Sequence, residues 1–354
     1  MASTRIYRTA GSPTLNTKHT ISLWFKRGRL SFGDTFIMDG YQDSSNRFKL
    51  AFDSSDRLEL YNTHGGSYKY NVRTNRKFRD VSAFYHLVIR IDMTQSSASD
   101  RVRIYVNGTE EESFETYTDS TQDDANNVVN ESGATISIGD YQGGSNGFSG
   151  LMAHFHFIDG TSYAPTTFAE TDSTSGLWVP ITNPSVTYGN NGFFLKFENS
   201  GNLDLDSSGN GLTFTTSGSL TQNKDTPTNN YAILNHLHQL GNSQATLTNG
   251  NLTYTGHSST NYSGVHSSLA ASSGKWYAEF KCTGGGGAVD MMMGAGNGLF
   301  NATAPGAGSQ DYVIFGYDGK IYNNGSGSTY GTALTSGDII CVAVDLDNNK
   351  LYFR

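Results

Sequence analysis

The chain has 354 residues, with 24 Lys and Arg against 32 Asp and Glu, and a formal net charge of −8. That acidic balance leaves no basic footprint for nucleic acid and no attraction to an anionic membrane surface. A composition of 41 Gly, 20 Tyr and 20 Phe with only 6 Pro, and no long 3.6-residue periodicity, predicts an all-β protein. The length predicts two domains, or three, and the regular turn spacing along the chain predicts antiparallel β-sandwiches of jelly-roll type in tandem.

The opening stretch, MASTRIYRTAGSPTLNT, has no apolar core of the kind a secretory signal needs, which predicts a protein not exported by a cleaved signal. In Thr20–Lys26, Ile21, Leu23 and Phe25 alternate with Ser22, Trp24 and Lys26, the period of a strand with one face on a core. Strand-like runs follow at Thr35–Met38, Arg47–Phe52 and Arg57–Tyr61, at the turn spacing of sandwiches. The clearest signal is Phe84–Gly108. Leu87, Ile89 and Ile91 on one arm, and Val102, Ile104 and Val106 on the other, flank a polar reversal. Asn107-Gly108 then predicts another tight turn. Glu110–Ser132 is polar and acidic, long enough to predict a functional rim loop or a mobile one. Thr135–Gly139, Gly147–Asp159 and Gly192–Phe197 complete a first domain over residues 1–220.

Residues 221–244 read as a linker, where Pro227 excludes helix and interior strand. A second domain spans 245–354, with runs at Leu247–Tyr254, Gly274–Cys282, Val289–Gly294, Tyr312–Phe315 and Asp338–Phe353. The apolar run at Ile339–Val344 is too short to cross a bilayer. A sheet that stops at Arg354 would leave an unpaired edge, which predicts a second domain incomplete at its C-terminus and a longer native chain. Cys282 and Cys341 read as buried reduced thiols; a disulfide would need neighbouring strands and an oxidising compartment. Gly294–Gly298 precedes no helical pattern and is a turn, not a dinucleotide fingerprint. Sequons at Asn107, Asn130, Asn251, Asn261, Asn301 and Asn324 follow from a composition rich in Asn, Ser and Thr.

The phrases WFKRG, FYHLVIRID, VRIYVNG, ISIGDYQGG and GFSGLMAHFHFIDG, in that order, resemble concanavalin A-like (laminin-G-like) lectin domains over about residues 1–220. GKWYAEF, MMMGAG, GYDGKIYNNG and the closing hairpin resemble SPRY domains, another two-sheet sandwich. The two modules together resemble structural proteins of tailed bacteriophages, of the tail-fibre, receptor-binding or capsid-decoration type. This resemblance implies a virion protein assembled in the host cytoplasm and exposed on the particle exterior. Its partners would be other virion proteins and a host surface glycan, with no nucleic acid and no membrane insertion.

Glycoside hydrolysis needs two carboxylates facing one groove, and no E-x-D-x-E pattern occurs, so no catalytic residue is assigned. Asp204-x-Asp206-x-Ser208-Gly209 partly follows a calcium loop, making Asp204 and Asp206 the candidate metal ligands and Ca²⁺ the candidate cofactor; an Asx turn is the alternative. His154 and His156 alternate onto one face, where a homotrimer could gather such pairs about one transition metal. Sugar sites on sandwiches combine an aromatic ring with Asn and Asp at loop tips. Tyr41 with Asp39 and Asp43, and Tyr141 with Asp140, Gln142 and Asn146, meet that description, and Tyr61, Tyr68 and Tyr70 lie close by in sequence. Three functions stay open: a non-enzymatic glycan- or subunit-binding virion protein, a polysaccharide depolymerase, and a protein-binding scaffold.

Overall fold

A computed structural model of the chain describes residues 4–144, 146–241, 245–256, 263–283, 290–297 and 306–354. Val289, Gly298, Asn261 and Asn301 lie outside the described residues. The chain is nearly all-β, and its two large sheets are antiparallel throughout their strand pairings. It divides into two compact units, Met1–Ile233 with Thr248–Leu252, and Leu234–Leu247 with Thr253–Arg354.

In the first unit an eight-stranded sheet runs in the order Phe114–Thr118, Ser67–Lys77, Arg57–His64, Asn46–Phe52, Thr35–Asp43, Thr135–Ile138, Arg5–Thr9, Thr215–Ser217. A six-stranded sheet runs Phe193–Leu195, Gly150–Asp159, Lys18–Arg27, Tyr85–Asp92, Val102–Val106, Thr109–Glu110. The alternating residues of both sheets meet in one core, with Ile21, Leu23 and Phe25 against Phe48, Leu50 and Phe52. The hairpin read from the sequence forms in register: Leu87 opposes Val106, Ile89 opposes Ile104 and Ile91 opposes Val102. All six are in that core. Asn107 and Gly108 take φ of 51° and 81°, the left-handed pair that a two-residue turn with matching twist requires.

The opposite face of the six-stranded sheet is covered as well. Val88 and Tyr105 pack with Ile158 and Phe168 in a separate cluster walled by Tyr163, Val186 and Tyr188. Residues 160–190 therefore add a third layer, and the polar residues that alternate outward, Ser22, His86 and His156, are buried beneath it.

The acidic excursion 110–132 is not a rim loop. Phe114–Thr118 joins the edge of the eight-stranded sheet beside Ser67–Lys77, and Glu111 and Glu115 pair with Arg76, Arg57 and Arg73. Val128 and Val129 then enter the core with no exposure, the apolar burial that offsets the cost of ordering this chain. Gly40 makes room for them: a Cβ there would lie 2.9 Å from Val129 Cα. The segment expected as a linker is ordered from its start, because Asp225 is buried against Lys26 within the first unit.

The second unit pairs Leu234–Gly241 with Ser263–Ser267. It also builds a three-stranded sheet, Lys275–Lys281, Ile339–Asp345, Lys350–Phe353, and a four-stranded one, Met292–Ala295, Tyr312–Phe315, Ile321–Asn323, Ser326–Ser328. Cys282, Met293, Ile314, Leu334, Ile340, Val342 and Phe353 form its core. Both cysteines are free thiols, Cys282 buried and Cys341 half-buried, and burial pushes the Cys282 thiol above its ordinary value, with the Asp338 charge adding to the effect.

Candidate functional site

On the eight-stranded sheet, strand alternation sends Phe48, Leu50 and Phe52 into the core and leaves Arg47 and Lys49 on the outer face. Register brings Tyr41 opposite Arg47 and Asp39 opposite Lys49. On the other flank Tyr41 faces Thr135 and Asp39 faces Ser137. The loop that follows Thr135–Ile138 folds back over Phe36, whose N–H donates to the Asn146 carbonyl at 3.0 Å. Tyr141 in this loop stacks on Phe36 with ring centroids 5.2 Å apart. Tyr41 meets Tyr141 edge-on at 6.4 Å, and the Arg47 guanidinium lies 4.0 Å from the Tyr141 ring centre. The band continues past Arg47 to Tyr61 and then Tyr68, 5.5 Å from Tyr61 between centroids. Tyr68 is 55% exposed, so it is the ring most open to a ligand.

Beneath these rings lie polar groups with unspent hydrogen bonds. Asp39 and Asp140 are fully buried. Asp39 Oδ1 accepts from Arg47 Nε at 3.1 Å and Asp140 Oδ1 accepts from the Tyr141 N–H at 2.6 Å. Asp39 Oδ2, Asp140 Oδ2, Arg47 Nη2 and Gln142 Nε2 have no hydrogen-bond partner among the described residues. Four such atoms in one neighbourhood are unusual, because an unmade buried hydrogen bond costs about 1–3 kcal/mol. Burial pushes the Asp39 carboxyl up to about 6, Arg47 opposes that, and the Asp140 charge adds to it.

The structure thus brings Asp39, Tyr41, Asp140, Tyr141 and Gln142 together, with the Asn146 backbone against Phe36 and Tyr61 and Tyr68 further along the band, and it keeps Asp43 and Tyr70 apart. Asp43 closes the hairpin turn, its carboxylate accepting from the N–H groups of Ser45 and Asn46 and the Asn46 side chain. Tyr70 is a fully buried core residue. A register shift between Asn62 and Thr63 puts Tyr68 and Tyr70, two residues apart, on opposite faces. Phe36 and Arg47 are strand positions and neither lies at a loop tip; the Tyr41–Arg47 register finds Arg47, and the stack on Tyr141 finds Phe36.

Calcium does not fit Asp206, the better of the two metal candidates. Its oxygens already accept from the N–H groups of Phe194, Ser208 and Leu212 and from the Ser208 hydroxyl, while Asp204 accepts from Thr216. This is the Asx-type turn. No group of three or more His, Cys, Asp or Glu among the described residues is placed to hold a metal. A hard cation would find unspent carboxylate oxygens at Asp39 and Asp140, and backbone carbonyls would have to complete its shell. His154 and His156 form no exposed pair either. His156 is buried, and its Nδ1 lies 2.9 Å from the Tyr188 hydroxyl. His154, at a break in register between Ala153 and His156, has φ 47°.

Two facing antiparallel sheets with this strand order define a jelly-roll sandwich of the concanavalin A class. A family model described as the concanavalin A-like lectin/glucanases superfamily matches residues 3–166, within the first unit. Among solved structures, a heptameric pentraxin from Limulus polyphemus is 14% identical, with 54% of this chain and 87% of that chain covered and a TM-score of 0.36. A protein from Bacteroides ovatus is 16% identical, with 64% and 62% covered and a TM-score of 0.38. Domain 4 of an arabinanase from Geobacillus stearothermophilus is 20% identical, with 42% and 64% covered and a TM-score of 0.31. The chain thus spans less than two thirds of the latter two. No curated protein matches it.

Proposed function

We propose that the first unit is a non-catalytic glycan-binding module, and that its binding face is the outer surface of the eight-stranded sheet around Tyr41, Arg47, Tyr68 and Tyr141. The observation that carries this reading is the band of rings interleaved with Arg47 above polar atoms whose hydrogen bonds are unspent. Sugars present an apolar face and a rim of hydroxyls, so they pair with rings that stack and with fixed donors and acceptors. Tyr68 supplies the open ring. Arg47 and Gln142 supply donors, and the carboxylates of Asp39 and Asp140 are reached through a bridging water. A glycan array probed with the intact chain tests this. Signal that falls on Tyr68→Ala and on Arg47→Ala, with an unchanged circular dichroism spectrum, supports it; no binding to any glycan, or binding indifferent to both changes, overturns it.

The setting we propose is the exterior of a bacteriophage particle, as a tail-fibre or decoration protein, with a SPRY-like second domain docking on virion subunits. The phrase-by-phrase resemblance of both modules supports this. Labelling this chain on intact particles and imaging them tests it, and a label absent from the particle surface overturns it. A depolymerase is the second reading, favoured by the raised Asp39 carboxyl beside Asp140, the pattern of a general acid with a neighbouring carboxylate. Complete burial of both weighs against contact with a scissile bond. Release of reducing sugar from host polysaccharide, lost on Asp39→Asn, would favour the depolymerase.

A further inference from the structure

Lys26 stands on the Lys18–Arg27 strand where alternation points it away from the core, yet its side chain has 0% exposure. The segment 225–231 roofs it. Nζ donates to Asp225 Oδ2 at 2.8 Å, to Asn230 Oδ1 at 2.7 Å and to the Tyr231 carbonyl at 2.5 Å. Asp225 has a side-chain exposure of 1%, and its second oxygen accepts the Tyr231 N–H at 3.0 Å. The Phe84 ring lies 5.7 Å from Nζ. The Asn230 amide is oriented: Oδ1 faces the buried amine, and Nδ2 donates outward to the Ser82 carbonyl at 2.6 Å. An ion pair needs only Lys26 and Asp225. Here a carboxamide is placed against the same amine, with its nitrogen on the exposed side. Burial lowers the Lys26 ammonium below its ordinary value, against the pull of Asp225, and a desolvated lysine beside a proton acceptor is an activated nucleophile.

We propose that Lys26 and Asn230 join in an intramolecular isopeptide bond, with Asp225 as the proton carrier. Asp225 takes a proton from the Lys26 ammonium, and the free Nζ attacks Asn230 Cγ. The Nζ–Cγ bond forms and the Cγ–Nδ2 bond breaks. Two protons pass from Nζ to Nδ2 by way of Asp225, so the nitrogen leaves as ammonium and Asp225 ends ionised. No oxidant or cofactor enters. The bond ties an early strand of the six-stranded sheet to a segment about two hundred residues later in the first unit, a covalent closure in a chain whose two cysteines are free.

The intact mass of the folded, full-length chain decides the matter. The expected mass is below the sequence mass by one ammonia, with a proteolytic fragment joining the Lys26 and Asn230 peptides and faster migration in a denaturing gel. Lys26→Arg, which keeps the cation and cannot form the bond, and Asn230→Ala are each expected at full mass. Asp225→Asn is expected to leave most of the chain unlinked. Wild-type protein at full sequence mass overturns the proposal whatever the variants do. So does a mass loss that survives in Lys26→Arg, or a loss of one water that maps to Asp225.

Discussion

Acidification tests the layered burial of the first unit most directly. His19 and His86 are both fully buried. Burial holds each at about 3, with Asp159 opposing at His19 and His154 adding at His86. The unfolded chain takes up these protons near pH 6.5 and the folded chain does not, so stability falls as pH drops from about 6.5 towards 3. Between about pH 7 and pH 5 each histidine costs about 2 kcal/mol, or about 4 kcal/mol together. Asp39 works the other way. Its folded value of about 6 lies above its unfolded one, so protonation on the same descent returns about 1 kcal/mol. The net loss expected is about 3 kcal/mol, and His156, whose burial lowers it well below its ordinary value, adds to it. Urea unfolding followed by tryptophan fluorescence reads this, since Trp24 stacks on His86 and Trp178 donates to it. His19 has no partner for either ring nitrogen among the described residues, so His19→Leu is expected to raise the midpoint at neutral pH and to remove about half of the acid slope. A midpoint independent of pH between 7 and 5, or a slope unchanged by His19→Leu, would refute the reasoning.

Three further outcomes follow from single contacts. Asp56→Ala removes a buried carboxylate that accepts from Arg27, Ser31 and Arg79 and strands Arg27, so thermal unfolding is expected to show a loss of about 3–5 kcal/mol. Gly40→Ala forces a Cβ to within 2.9 Å of Val129 Cα and 3.2 Å of Phe48 Cβ; urea titration is expected to show a loss of about 1–3 kcal/mol. Tyr70→Ala is expected to cost about 3–5 kcal/mol as a core truncation, whereas Tyr68→Ala, two residues away on the open face, is expected to leave the melting temperature unchanged and to weaken glycan binding.

Much of the first unit was legible because strand alternation and turn chemistry are local. The Leu87–Val106 register and the Asn107-Gly108 turn follow from side-chain period and tolerance of positive φ alone. What escaped depends on partners far away in sequence. Nothing around His86 says that Phe168 and Trp178 will cover its face of the sheet, and an alternating strand reads as half-solvated until such a layer is known. The fate of Lys26 is hidden for the same reason, since its acceptors lie about two hundred residues on. Tyr68 and Tyr70 parted because a register shift arises from the pairing of two strands, which neither strand carries by itself. Within the candidate site, the loop-tip rule found Tyr41, Tyr141 and their acids, but the residues between them, Phe36 and Arg47, are strand positions.

The strand order of the larger sheet also bears on how the chain is made. Arg5–Thr9 lies between Thr135–Ile138 and Thr215–Ser217, so this strand is made long before either of its neighbours. At about 5–20 residues per second, translation separates it from its outer neighbour by about 10–40 s. Through that interval the edge that Thr215–Ser217 will cover stays open to water and to other nascent chains. Pairing across so long a sequence separation makes the closing of this sheet a slow step in folding.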